Sequence, residues 1–168
     1  YNIQDIAGSL RPAAPEQEAR HWYQWYLQAD RGAAGLAQNR RPFCELLWRM
    51  WSPSMAFTAQ EYAETAASFD NPDFVAVAVH SYRHRHVAGD PAYGQIEQRL
   101  AARPPITVPS IVLQGAEDGV DPPSNSAGCA RHFTQLAERR VVPKAGHFLP
   151  RESPADFLAA IHLLVSNH

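Results

Sequence analysis

The sequence contains little cysteine, almost no lysine and no long hydrophobic run. Its two cysteines, Cys44 and Cys129, are too few for a disulfide framework and are expected to be small apolar side chains in helical stretches. Lysine occurs once among 15 lysine and arginine residues, and the net charge of −2 provides no basic face for nucleic acid or anionic lipid. No segment approaches the roughly 18 apolar residues of a membrane span. These absences predict a cytoplasmic protein with neither a nucleic-acid nor a membrane partner.

The sequence also lacks a Gly-x-Ser-x-Gly turn, and no other turn is an obvious carrier of a catalytic nucleophile. No Cys/His spacing completes a tetrahedral ligand set, so we predict neither a metal site nor a cofactor. The histidine-rich stretch 80–86 reads as a solvated helix end. The remaining composition, with 45% hydrophobic and 19% charged residues, is that of an ordinary globular protein.

The first 103 residues predict helices and no convincing strand. Residues 1–14 read as an irregular connector, because glycine and proline interrupt any regular pattern. Helices are expected over residues 15–31, 41–51, 58–69, 72–82 and 95–102, with a loop at 86–92. Gly32 is expected to end the first of these helices. Thr58 followed by Glu61 is a capping box that marks the start of the third.

The last third of the chain predicts an α/β unit. An apolar strand over 107–113 is followed by a helix over 127–137, a second strand over 139–142 and a final helix opened by Ser153 and Pro154. Two parallel strands cannot close a core alone. We therefore expect residues 104–168 to be the edge of a larger sheet and residues 15–103 to be a helical insert. The chain begins in what reads as a loop after a strand, so we expect its partner to be a missing N-terminal part of the same protein or a second copy.

Two polar residues follow the predicted strands. Asp118 lies in a tight turn after the first strand, and His147 follows Gly146 after the second. Carboxyl ends of parallel strands gather functional groups, and a carboxylate beside an imidazole orients it for general-base work. Asp121 is the fallback acid because it shares the loop, and Glu117 is a weaker candidate because of its longer side chain. A structural role in a turn is the alternative for both Asp118 and His147.

Aromatic residues mark the first predicted helix. Tyr23 and Tyr26 lie three positions apart on adjoining parts of one face, with Trp25 between them. The plain interpretation is a packing stripe, since aromatic helices usually bury their rings. The sharper interpretation gives one phenol hydroxyl the task of donating a hydrogen bond to a substrate oxygen.

Several of these motifs together resemble the C-terminal part of an α/β-hydrolase. They are Gly115-x-x-Asp118, Gly146-His147-Phe148 and Glu152-x-Pro154, and the match covers residues 105–165. The helical insert has the position and character of that fold's cap domain. The resemblance implies a partial α/β-hydrolase fold, with a helical cap followed by the last two strand–helix units of a parallel sheet.

Within the cap, two segments resemble the epoxide hydrolases. One is Tyr23-Gln24-Trp25-Tyr26 with residues 35–39, and the other is His80-Ser81-Tyr82-Arg83. In that family two cap tyrosines hold the epoxide oxygen while an aspartate attacks a ring carbon, and a histidine then activates water. The resemblance implies that Tyr23 and Tyr82 polarise the oxygen of a small apolar or amphipathic substrate. It also implies that Asp118 orients His147, the base.

Other chemistries remain open. The nucleophile is expected before Tyr1, as Asp in an epoxide hydrolase or dehalogenase and as Ser in a carboxylesterase. In a haloacid-type dehalogenase, the resemblance implies that Trp25 and Tyr82 face the leaving halide. A non-catalytic helical binding module is the alternative of another class, with Asp118 and His147 in structural roles. Because no nucleophile is found in the sequence, we expect this chain alone to be inactive.

Overall fold

The structure of the protein, a computed structural model, describes residues 10–84 and 91–166. These residues form two compact units. One unit, here called the sheet unit, combines Arg49–Met55 with the described residues from Ala102 onward. The other, the helical unit, holds the described residues up to and including Trp48 and those of Ala56–Ala101. The predicted helical domain 15–103 therefore differs from the observed unit, because Arg49–Met55 packs with the C-terminal residues. Most of the predicted connector 1–14 lies outside the described residues.

The described residues of the helical unit form short helices. Its helices are Pro15–Arg20, Trp22–Tyr26, Asp30–Gln38, Arg40–Trp51 (whose last turn belongs to the sheet unit), Ala59–Ala66, Phe74–His84 and Gly94–Ala101, with 3₁₀ turns at Ala67–Asp70 and Pro91–Tyr93. The core packs around Leu27, Leu36 and Val79. The predicted loop 86–92 lies mostly outside the described residues.

The predicted first helix is wrong in its extent. It breaks at His21 and again after Tyr26, and a further helix, Asp30–Gln38, begins where a stop was expected. Gly32 lies inside this helix, and a Cβ atom there would lie within 1.8 Å of the Tyr26 carbonyl oxygen. The glycine is needed because the backbones of two successive helices approach closely at this point. A glycine that ends a helix looks the same in the sequence, so the two roles could not be told apart.

The sheet unit is built on two parallel strands, β1 (Ser110–Gly115) and β2 (Leu136–Val142). In register, Val112 lies opposite Arg139 and Gly115 opposite Val142. In the described parts of the chain the sheet has two strands, and its small core is formed by Val142, Ala145 and Leu149 with Leu113. The parallel pairing and the α/β class follow the prediction, although β1 is shifted two to three residues later than expected and β2 begins three residues earlier than expected.

The connection between the strands differs from the expected helix. A single turn at Pro123–Ser126 and a 3₁₀ turn at Cys129–His132 replace the predicted helix 127–137. Gly128 separates the two turns, and glycine has a low helix propensity. The final helix, Pro154–Ser166, begins at the predicted proline, and the Ser153 hydroxyl donates to the Asp156 carboxylate at 2.6 Å. Over the residues that the structure covers, no helix has the length and apolarity to cross a membrane.

Candidate active site

Asp118 and His147 meet at the carboxyl edge of the two strands. Asp118 follows the end of β1, His147 follows the end of β2, and parallel strands bring these ends together. The Nδ1 atom of His147 lies 3.0 Å from Oδ2 and 3.2 Å from Oδ1 of Asp118. The predicted pairing is therefore present at hydrogen-bonding distance, while the catalytic roles of the two residues stay predictions.

The Asp118 carboxylate is held by several donors. It is 8% exposed, and Oδ1 accepts hydrogen bonds from the backbone amides of Val120 at 2.8 Å and Asp121 at 3.0 Å. Oδ2 also accepts from the Gln114 side-chain amide at 3.2 Å. Burial raises the pKa of this carboxyl, but the hydrogen bonds from His147 and from the two backbone amides outweigh burial and lower the pKa below its ordinary value. Asp118 is therefore ionised at neutral pH and can stabilise an imidazolium.

The two other acids considered from the sequence have different surroundings. The Asp121 carboxylate accepts a hydrogen bond from the Asn125 amide at 3.0 Å, while its backbone amide supports Asp118. Glu117 is exposed. The structure thus pairs His147 with the acid that the sequence ranked first.

Gly146 allows the backbone of the histidine loop to approach a second segment. A Cβ atom at Gly146 would lie 2.7 Å from the Oγ atom of Ser52, and one at Gly115 would lie 2.2 Å from the Gly146 carbonyl oxygen. Both distances are shorter than van der Waals contact, so any side chain at either position would displace the loop. The missing side chain matters here for space rather than for an unusual backbone angle.

Sequence reasoning missed the segment that packs against this loop. Ser52 is 1% exposed, and its hydroxyl accepts hydrogen bonds from the amides of His147 at 2.8 Å and Phe148 at 3.2 Å. The same hydroxyl donates to Oε1 of Glu152 at 2.6 Å. No periodicity or motif marks Ser52, and its partners lie about a hundred positions further along the chain.

The ring of His147 is framed by aromatic neighbours. Trp51 contacts it edge-on with ring centroids 5.4 Å apart, and Phe148 does so at 5.8 Å. Beside the acid–base pair, the sheet unit contains a cavity of about 660 Å³. Apolar side chains line much of its wall, among them Val112, Phe133, Phe157 and Ile161. The pair therefore borders a space suited to an apolar group.

The two tyrosines predicted to polarise a substrate oxygen are neighbours in the helical unit. Tyr23 is 3% exposed, and its ring contacts that of Tyr82 edge-on with centroids 5.4 Å apart. The Tyr23 hydroxyl accepts a hydrogen bond from the Gln24 side chain at 3.3 Å. The structure thus brings together two tyrosines that lie 59 positions apart in the sequence, on different helices.

Hydrogen bonds between the two segments that carry the tyrosines hold this pair. Gln28 donates to the carbonyl oxygen of Tyr82 at 3.1 Å, and the Arg83 guanidinium donates to the carbonyl oxygen of Leu27 at 3.2 Å. Because the bonds run in both directions between the two segments, they hold the backbones that carry the tyrosines in register. The Tyr82-Arg83 pair noted in the sequence therefore contributes its arginine to the scaffold.

Trp25 has a different environment from the tyrosines. It is 43% exposed, and its indole N–H donates to the Glu18 carboxylate at 2.8 Å. A halide-binding role would use this same N–H, which here donates to Glu18. The role of Trp25 in substrate binding stays a prediction.

The two parallel strands, with Asp118 and His147 beyond their ends and a helix after the second, form part of an α/β-hydrolase fold, as structural matches show. The structure resembles a protein of Klebsiella pneumoniae subsp. pneumoniae MGH 78578 that is provisionally named an epoxide hydrolase, with 38% identity and a TM-score of 0.89. The match covers 98% of this chain and 55% of that one, so the chain spans about half the length of that protein. The resemblance to the C-terminal part of an α/β-hydrolase is thereby confirmed.

More distant structures share the fold. One belongs to a group described as epoxide hydrolases of the α/β-hydrolase superfamily from metagenomes of hot environments; it is 21% identical with a TM-score of 0.69, over 95% of this chain and 55% of its own. Another is Cfl2 of Burkholderia cenocepacia, 16% identical with a TM-score of 0.69, over 90% and 50%. No protein-family model matches the sequence, and no curated protein matches it either.

Proposed function

We propose that the chain is part of a hydrolase of the α/β-hydrolase superfamily that opens epoxides. The acid–base pair of Asp118 and His147 supports a hydrolase, and the 38% identity to the Klebsiella protein supports the epoxide assignment. The observation that carries this assignment is the 5.4 Å contact between the rings of Tyr23 and Tyr82. Phenol hydroxyls are donors suited to an oxygen that acquires negative charge, and such donors are most effective in a site that excludes water.

The proposed reaction has two steps. An aspartate expected before Tyr1 attacks a ring carbon, the C–O bond breaks, and the oxygen takes a proton from a tyrosine as the ester forms. His147 then removes a proton from water, whose oxygen attacks the ester carbonyl. The ester C–O bond breaks, the leaving alkoxide takes the proton from the His147 imidazolium, and the remaining water proton returns to the tyrosinate, which releases the diol and restores the aspartate. Asp118 keeps a proton on Nδ1 of His147, so that Nε2 is the basic nitrogen, and stabilises the imidazolium.

The test separates this proposal from its competitors by trapping the ester. In the full-length protein, His147→Gln should still be alkylated by an aryl epoxide but should not release diol. Intact-mass spectrometry should then find one added substrate mass per protein. His162→Gln, at an exposed position on the final helix, is the matched control and should turn over like the unchanged protein.

Other results identify the alternatives. Turnover of a simple ester, with no epoxide opening and no adduct, would assign the protein to the carboxylesterases. Release of halide from a haloacid would favour the dehalogenase. If none of these substrates reacts, the helical binding module is the better description.

A further inference from the structure

We propose that Ser52 and Glu152 are positioning residues that set the orientation of His147. The inference rests on the proposed function, because it assigns these residues to the base of that reaction. Neither side chain is required to touch substrate. They act through the backbone of the loop that carries the imidazole.

The two side chains accept hydrogen bonds from the backbone amides of three consecutive residues. Gly146 donates to Oε2 of Glu152 at 2.8 Å, His147 donates to Oγ of Ser52 at 2.8 Å, and Phe148 donates to Oε1 of Glu152 at 3.0 Å. The hydroxyl of Ser52 closes the set by donating to the same carboxylate at 2.6 Å. Every peptide plane around His147 is therefore fixed by a buried hydroxyl and one carboxylate.

A backbone carbonyl in the same segment extends this support to the acid. The carbonyl oxygen of Trp51 accepts from the amide of His147 at 3.2 Å and from the amide of Gly119 at 2.9 Å. Gly119 directly follows Asp118, so one peptide joins the loop of the base to the loop of the acid. A Cβ atom at Gly119 would lie 1.9 Å from the Met50 carbonyl oxygen, which shows how closely these backbones approach.

This arrangement restricts the movement of the loop. Hydrogen bonds from three successive amides leave the loop little freedom to rotate, and rotation of the His147 peptide would swing the imidazole away from Asp118. Misplacing a reacting group by about 1 Å can lower turnover roughly 10²-fold. Loss of either positioning residue should therefore act on the chemical step more than on binding.

The experiment compares Ser52→Ala and Glu152→Gln with Ser54→Ala in the full-length protein. Ser54 is an exposed hydroxyl of the same segment, at 3.5 Å from the Lys144 carbonyl oxygen, and serves as the matched control. Glu152→Gln keeps the shape of the side chain, but its NH₂ group cannot accept a hydrogen bond from a backbone amide. This variant provides the test if Ser52→Ala does not fold. Nuclear magnetic resonance of ¹⁵N-labelled histidine reports which ring nitrogen of His147 is protonated, and steady-state kinetics of epoxide hydrolysis report kcat and KM.

We expect both variants to lower kcat by about 10- to 100-fold with KM within about twofold, in keeping with a misplaced group. We also expect the Nδ1–H signal of His147 to weaken or broaden, while Ser54→Ala keeps the original signal and kinetics. Unchanged kcat and unchanged ring signals, with only a lower melting temperature, would overturn the inference and leave a structural role. If the unchanged protein hydrolyses no epoxide and the ring signals still respond, the proposed function fails and the positioning role stands.

Discussion

At the scale of single residues, the chemistry of the proposed reaction depends on which hydrogen atoms are available. The Asp118 carboxylate is ionised and accepts hydrogen bonds from several donors. It therefore acts on His147 as a negatively charged acceptor and not as a proton donor. Tyr23 accepts a hydrogen bond from Gln24, which polarises the phenol in the direction that favours donation of its own proton. The indole of Trp25 donates to Glu18. The hydrogen-bond partners of Asp118, Tyr23 and Trp25 therefore determine what each side chain can contribute to the reaction, together with its residue type.

Removing either phenol hydroxyl should slow epoxide opening without disturbing the fold. In the full-length protein, Tyr82→Phe and Tyr23→Phe should each lower turnover roughly 10²- to 10³-fold, the usual cost of one donor to a developing oxyanion. The double variant should lose less than the product of the two losses, because both donors serve one oxygen. Tyr93→Phe, at an exposed tyrosine, is the control. Wild-type epoxide turnover by both single variants would contradict the assignment.

The lowered pKa of Asp118 predicts how stability depends on pH. The folded state favours the ionised carboxylate, so its contribution is fully present above the unfolded value of about 3.9 and is lost as the pH falls through the lower folded pKa. Urea unfolding from pH 7 to pH 3 should therefore show the stability advantage over Asp118→Asn shrinking only below about pH 4. An advantage that stays constant over this whole range would show that the charge contributes nothing.

At the scale of secondary-structure elements, local signals determine the beginnings of several helices. The helix Ala59–Ala66 begins with both bonds of its capping box, since the Glu61 amide donates to the Thr58 hydroxyl at 3.1 Å and the Thr58 amide donates to the Glu61 carboxylate at 2.7 Å. All four groups belong to residues three positions apart. A motif this local was predictable from sequence, and the prediction is confirmed.

Loss of this cap should be measurable. Thr58→Ala removes the hydroxyl that accepts from the Glu61 amide and should lower the free energy of unfolding by about 1 kcal/mol. Thr65→Ala, at an exposed position inside the same helix, is the matched control and should stay within about 0.5 kcal/mol of the unchanged protein. Chemical denaturation followed by circular dichroism measures both. Equal effects of the two substitutions would argue against the cap.

The elements that sequence failed to predict depend on distant partners. The strand ends that carry Asp118 and His147 were predictable because apolar runs and turns mark them. Ser52 was not, since its hydroxyl meets residues 95 to 100 positions away and no local pattern announces that contact. The expected helix 127–137 failed for a related reason: Leu136 begins β2, whose pairing with β1 outweighs the helical preference of its neighbours.

At the scale of the whole molecule, the chain corresponds to about half of the structures that it resembles. Within the described residues its sheet has two strands, which is fewer than a parallel sheet normally needs to bury both faces. The final helix leaves apolar side chains exposed, among them Leu158 at 53% and Val165 at 70%. Such a surface favours association and so supports the expectation of a partner. That partner, an N-terminal part of the same protein or a second copy, stays a prediction.

The association state of the isolated 168-residue chain tests that expectation. We expect light scattering to find oligomers or aggregates, and thermal unfolding to be broad, because apolar surface is exposed and the sheet is short. In contrast, the full-length protein should be compact and should melt cooperatively, since additional strands would cover the face of β1. The two samples should be compared at equal concentration, with a dye that binds exposed apolar surface. A compact, cooperatively melting monomer of the isolated chain, with no more dye bound than by the full-length protein, would show that its two strands suffice.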